Sequence, residues 1–156
     1  MQYQKVWEKI LKDGEIVRYE FSISDRYRKL CMTGGMIIGA IIMLTVFKTL
    51  YTYAIIGLFI FLASLFYFGY YLKTANAYAF TNKRVLIYRG WLTTQTISID
   101  YNKITDVSVI EPILDRVVTK SGYLTINTAG TSQHEVMLKH IAFPYEVKKK
   151  LDEIRG

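Results

Sequence analysis

Two histidines are the first residues of this chain that could do chemistry. His134 and His140 stand six apart on a segment that reads as a β-strand, and an even spacing would put both imidazoles on one face. No cysteine or carboxylate pair stands beside them at ligand spacing, so no metal site and no other cofactor is expected. Asp100, Asp106, Glu111 and Asp115 supply carboxylates, but nothing in their spacing pairs two of them. The chain has no GxSxG, no HExxH, no phosphate-cradling glycine loop and no Cys/His nucleophile pair, so it does not read as an enzyme. What it does offer is cations for anions. Arg26, Arg28 and Lys29 cluster before one apolar run, Lys73 follows a second, and Lys83 and Arg84 stand in a turn just beyond. Placed at a bilayer surface, these six would meet anionic lipid headgroups as point charges. The plainer reading of Lys83 and Arg84 is a solvated turn and strand face. Lys148-Lys149-Lys150 reads as the solvated side of a helix.

What would position these cations is a sharp separation of apolar from charged residues. The 156-residue chain is 51% hydrophobic yet 21% charged, with a formal net charge of +7. Leu30 to Phe47 and Thr49 to Leu72 carry no charge, and Lys48 alone divides them. At about 1.5 Å per residue, roughly 20 helical residues cross a ~30 Å hydrocarbon core, so the first run is of marginal length and the second ample. They read as a transmembrane helical hairpin over 30–72, with Lys48 to Thr52 as a turn. Gly35 and Gly39 form a GxxxG pair that lets helix backbones approach closely in lipid, either against the hairpin partner or in a homo-oligomer. Tyrosines at both ends of the second run suit the two interfaces. Five Lys/Arg in 10–29 and four in 73–92, against one between the runs, place both termini in the cytoplasm at the cell membrane. A bilayer also explains the positive charge better than nucleic acid, which is not an expected partner. No secretory signal pattern precedes the apolar runs, and the lone Cys31 cannot form an internal disulfide.

The flanks have different periods. In residues 1–12, Tyr3, Trp7, Ile10 and Leu11 recur at helical spacing. After the Asp13-Gly14 turn, 16–23 alternate, with Val17, Tyr19, Phe21 and Ile23 expected on one face of a strand that needs a sheet to join. Six short strands follow the hairpin: Ala75 to Phe80, Val85 to Arg89, Thr94 to Ile99, Ile104 to Ile110, Tyr123 to Thr128 and Glu135 to His140. Between the fourth and fifth, Pro112 to Val118 reads as a helical turn or a broad loop. From Pro144 onward, Val147, Leu151 and Ile154 make the apolar stripe of a terminal helix. The expected organisation is therefore an α+β membrane protein: an N-terminal helix and strand (1–29), the hairpin (30–72), and a small antiparallel barrel or sandwich capped by a C-terminal helix (73–156).

The stretch Tyr78-Ala79-Phe80-Thr81-Asn82-Lys83-Arg84-Val85-Leu86-Ile87-Tyr88-Arg89-Gly90 resembles the signature of the bacterial membrane-flanked domain. That prokaryotic family is also called the bacterial pleckstrin-homology-like domain, or DUF304. Ile104-Thr105-Asp106-Val107 and Gly122-Tyr123-Leu124-Thr125-Ile126 continue the pattern, and the hairpin and Asp13-Gly14-Glu15 match the usual layout. The linker Leu114 to Ser121 departs from it in lacking a glycine-rich stretch. The resemblance implies two antiparallel sheets capped by a C-terminal helix. The expected function is that of a membrane-held interaction module that binds a protein partner or anionic headgroups. The other reading is a small accessory subunit of a larger membrane complex.

Overall fold

The computed structural model describes residues 3–46, 51–129 and 135–156. Most of the turn expected at Lys48 to Thr52, the turn at Gly130, and His134 lie outside the described residues. In chain order the elements are α1 (Gln4–Trp7), β1 (Val17–Phe21), α2 (Asp25–Val46) and α3 (Tyr51–Ser64). The last runs on through a π-helical segment (Leu65–Tyr71) into a final turn, α4 (Leu72–Thr74). Then come β2 (Asn76–Thr81), β3 (Arg84–Arg89), β4 (Gln95–Asp100), β5 (Ile104–Ile110), β6 (Ser121–Thr128), β7 (Glu135–Ala142) and α5 (Pro144–Arg155).

The strands form two antiparallel sheets, β1-β2-β3-β4 and β5-β6-β7. They make a sandwich rather than a closed barrel, with an isolated bridge between Ile23 and Ile141 linking the strand-one side to β7. The segment before the hairpin supplies the seventh strand. Tyr78, Phe80, Val85, Ile87 and Ile99 of one sheet meet Ile104, Val107, Leu124, Ile126, Val136, Leu138 and Ile141 of the other, and Val147 and Leu151 of α5 join them. A second cluster lies on the opposite face of the first sheet, where Ala77, Ala79 and Leu86 are covered by Tyr3, Trp7 and Val17. Burial on both faces explains the unbroken apolar runs Ala77 to Phe80 and Val85 to Ile87 on either side of the turn. The N-terminal helix is shorter than its periodicity suggests. Only Gln4–Trp7 is α-helical, although Ile10 and Leu11 still pack with Trp7.

Three bulges override strict alternation, at Arg18 in β1, Thr105 in β5 and His140 in β7. In β1 the register moves from Val17 opposite Thr81 to Tyr19 opposite Phe80, leaving Arg18 as an extra residue. Val17 therefore packs with Trp7, while Tyr19 and Phe21 face the main core. The expectation that all four apolar residues share one face fails at this bulge. In β7 the register shifts across from Tyr123, and His140 takes a left-handed backbone with φ of 53°. The extra residue returns Ile141 to the core face occupied by Leu138, and its own carbonyl accepts from Ser24 N at 2.7 Å, where α2 begins.

The helices α2 and α3 pack at backbone distance. A Cβ on Gly39 would lie 2.7 Å from the carbonyl oxygen of Gly57 and 2.8 Å from Phe61 N. Gly35 faces Ser64, whose hydroxyl donates to the Met32 carbonyl at 3.2 Å. Both members of the GxxxG pair thus face α3. Outside this seam the helices expose Ile37, Ile38, Ile41, Leu44, Ile55, Leu58, Phe59 and Leu62.

Candidate functional site

The Thr81-Asn82-Lys83-Arg84 turn at the heart of the sequence signature is a lock. The Thr81 hydroxyl accepts from the backbone N–H of Lys83 (3.1 Å) and Arg84 (3.0 Å) and donates to Glu15 Oε1 at 2.8 Å. Arg84 grips the same carboxylate with two prongs, Nε to Oε1 and Nη2 to Oε2, each 2.8 Å. Its remaining donors reach Ser98 Oγ and the Ile10 carbonyl. Asn82 closes the other side by accepting from Ile16 N and donating to the Gly14 carbonyl. Glu15 and Arg84 are both buried. Arg84 is therefore withdrawn from the headgroup role assigned to it: its charge is matched inside the fold, and lipid could take it only by leaving Glu15 bare.

This arrangement sets an acid limit. The Arg84 guanidinium, helped by Lys12 N and Thr81, holds the Glu15 carboxyl at about 2, below its ordinary 4.5, against the opposing effect of burial. The unfolded chain takes up the proton first as pH falls. Stability from this pair is therefore full above pH 4.5 and drains away towards pH 2, by on the order of 3 kcal/mol. Thermal melts between pH 5 and pH 3 should show that decline, and Glu15→Gln should flatten it.

The other cations divide by position. Chain direction carries β2 away from the hairpin, so Lys83 sits a strand's length, roughly 20 Å, from the hairpin base. That separation is about twice the screening length at physiological salt, and it removes exposed Lys83 from the same surface as Lys73. Arg28 is buried at the base. It pairs with Asp25 and donates to the carbonyls of Phe68 (3.3 Å) and Gly69 (3.2 Å) in the π-helical segment. Arg28 thus ties one leg of the hairpin to the other. Arg26, Lys29 and Lys73 are exposed around that base.

Between the hairpin base, the hairpin-side ends of β2 and β3, and the edge strand β7 lies a cleft of about 510 Å3. Its walls are Tyr27 from α2, Tyr67 and Phe68 from the π-helical segment, Leu72 from α4, Asn76, Tyr78 and Arg89 from the first sheet, and Met137, Lys139 and His140 from β7, with Ile23. Arg89 spans the sheets by donating to the Met137 carbonyl at 2.5 Å. Asn76 fixes the corner by donating to the Leu72 carbonyl at 3.2 Å. His140 stacks on Tyr27 with ring centres 3.8 Å apart. Burial holds its pKa below the ordinary value, and Asp115 only partly opposes this, so it is neutral at pH 7. Nδ1 stands 3.6 Å from Asp115, too far for a hydrogen bond.

The cleft's wall therefore carries Arg89 and Lys139 and no carboxylate, among aromatic and aliphatic surfaces. Such a lining can take an anionic group with an apolar body. Sequence reasoning missed these two cations as a pair, because β3 and β7 meet there only in the folded chain. Of the two histidines, His140 lies at the β7 bulge and His134 lies outside the described residues. Among the described residues no group of three or more His, Cys, Asp or Glu could hold a metal ion.

Known proteins place this architecture. The family model described as the bacterial PH domain matches residues 34–155, most of the chain.

The chain belongs to the bacterial PH domain family.

The match begins within α2, so in this bacterial PH domain the shared pattern takes in most of the hairpin as well as the sandwich. A crystal structure of a pleckstrin homology domain from Shewanella amazonensis SB2B is similar over 99% of this chain and 86% of that one, with a TM-score of 0.53 and 12% identity. A DUF1696 family protein with a pleckstrin-homology domain from Shewanella loihica PV-4 is similar over 99% and 93%, with a TM-score of 0.51 and 12% identity. At such identity the likeness is one of fold. No curated protein matches the chain. Within this bacterial PH domain, the Thr81–Arg84 signature belongs to the folding of the sandwich, and the cleft at the hairpin base is the candidate binding surface.

Proposed function

We propose that this bacterial PH domain is a non-catalytic, membrane-anchored interaction module on the cytoplasmic face, and that its cleft binds the anionic headgroup of a lipid. The observation that carries this reading is the exposure of the two apolar helices. Only 11% of the residues in the apolar window of either helix are buried by the fold, over spans of 20 and 22 residues. Leaving that many large aliphatic side chains in water would cost roughly 1–2 kcal/mol each, which lipid removes. The cations support the orientation. Arg26, Lys29 and Lys73 surround the same end of the hairpin as the cleft, where each contributes about 1 kcal/mol of attraction to an anionic leaflet.

Lipid carried through mild-detergent purification tests the cleft. Mass spectrometry of the intact chain should find anionic phospholipid enriched several-fold over zwitterionic lipid. Lys139→Glu should abolish the enrichment, and Arg89→Gln should reduce it. Unchanged enrichment in both variants would leave the anchor standing and remove the cleft as its headgroup site.

A further inference from the structure

The antiparallel ladders send alternate loops to opposite ends of the sandwich, and the two ends differ in character. Away from the hairpin, the described connections are mostly polar: Asn82 and Lys83 between β2 and β3, and Asn102 and Lys103 beside half-buried Tyr101 between β4 and β5, with Ala129 following β6. At the hairpin end, the loop 90–94 and the connection 111–119, whose Asp115–Thr119 forms a π-helical turn, carry bare aliphatic side chains. Leu92 is 89% exposed, Ile113 80%, Leu114 77% and Val117 72%. Four aliphatic side chains this bare, clustered at one end, are not an ordinary solvated surface; the far end bares Ile16 at 57%.

We infer that these two loops insert into the interfacial layer of the same bilayer that holds the hairpin, so that the sandwich stands on the membrane on two apolar feet. This rests on the proposed membrane anchorage and adds a second, separate contact to it.

Three observations choose lipid as the occupant. The loops are continuous with the apolar helices. Trp91 lies edge-on to Phe66, Tyr70 and Tyr71 at the base of the second leg, with ring centres 5.8, 6.3 and 6.4 Å apart. On the other side, the 111–119 loop packs beside α2. Charge is sorted to match. Of the two acids in the longer foot, Asp115 is drawn inward towards His140 and Glu111 is half-buried at its start, whereas Arg116 and Lys120 are exposed beside the apolar residues. Aliphatic side chains flanked by exposed cations, with an aromatic ring at the boundary, suit an anionic leaflet.

Single cysteines in a Cys31→Ser background, labelled with an environment-sensitive fluorophore and studied in the full chain in nanodiscs of phosphatidylcholine and phosphatidylglycerol, test this. Leu92→Cys and Val117→Cys report on the feet, Ile38→Cys on the hairpin and Lys83→Cys on the distal end. With lipid carrying a shallow spin-label quencher, emission at 92 and 117 should fall about two-fold or more, and aqueous iodide should have little effect. Position 83 should show the reverse. If 38 is quenched by lipid while 92 and 117 are open to iodide, the feet are overturned and the anchor stands. If 38 is also open to iodide, both are overturned. If 92 and 117 are shielded from iodide yet untouched by the lipid quencher, protein such as a second copy covers them, and the insertion is overturned.

Discussion

Arg84→Ala should cost about 3–5 kcal/mol of stability, enough to unfold the sandwich or bring it to the edge of unfolding. The loss does not come from the attraction alone. Removing the guanidinium leaves the Glu15 carboxylate buried, with its two-pronged partner gone and only Thr81 and Lys12 N still bonded to it. It also frees the Ile10 carbonyl and Ser98. Arg84→Lys should recover part of the loss, because an ammonium restores charge without the fork. Lys83→Glu, one residue away and exposed, should change stability by less than about 0.5 kcal/mol. Chemical denaturation of the detergent-solubilised chain, followed by the fluorescence of buried Trp7, checks all three. Trp7 is a suitable reporter because its indole donates to Glu20 Oε2 at 2.8 Å in the cluster that this lock holds against the first sheet.

Gly39→Ile should force the hairpin apart. The atoms a side chain would meet, the Gly57 carbonyl oxygen at 2.7 Å and Phe61 N at 2.8 Å, belong to backbone, so no rotamer change relieves the clash. Gly57 is equally tight against the Gly39 carbonyl oxygen and Met43 N, each at 2.7 Å. The cost should reach or exceed the roughly 1–3 kcal/mol typical of overpacking. It should appear as a lower melting temperature and faster proteolysis within the hairpin. Gly34→Ile is the matched control: a Cβ there has nothing within 4 Å, and the same substitution should be tolerated.

The hairpin and most strands were legible because each rests on a local pattern. Charge-free runs mark the helices, and alternation marks strands such as Ile104 to Ile110. The terminal helix shows its stripe of Val147, Leu151 and Ile154. What was not legible depends on residues far apart in the chain. Glu15 and Arg84 are 69 positions apart, and nothing local distinguishes an arginine that will be buried from one that will face lipid. Arg28 is a second case, since its partners Phe68 and Gly69 lie 40 and 41 positions further on, in the π-helical segment. The bulges at Arg18 and His140 are hidden for a related reason: a one-residue insertion leaves the composition unchanged while it turns the side chains that follow to the other face. Pro112 to Val118 was legible as a helical turn or broad loop, but nothing local shows that the fold leaves Ile113, Leu114, Val117 and Val118 bare beside the hairpin base.

The proposed anchorage requires lipid around α2 and α3 and both chain ends in one aqueous compartment. Thiol labelling of Lys5→Cys and Gly156→Cys, in a Cys31→Ser background and in carbonate-washed bacterial membranes, tests this most directly. The protein should stay in the pellet, and both positions should react with an impermeant maleimide in inside-out vesicles and with neither reacting in right-side-out ones. Release into the supernatant by carbonate, or the two positions reacting from opposite faces, would contradict it.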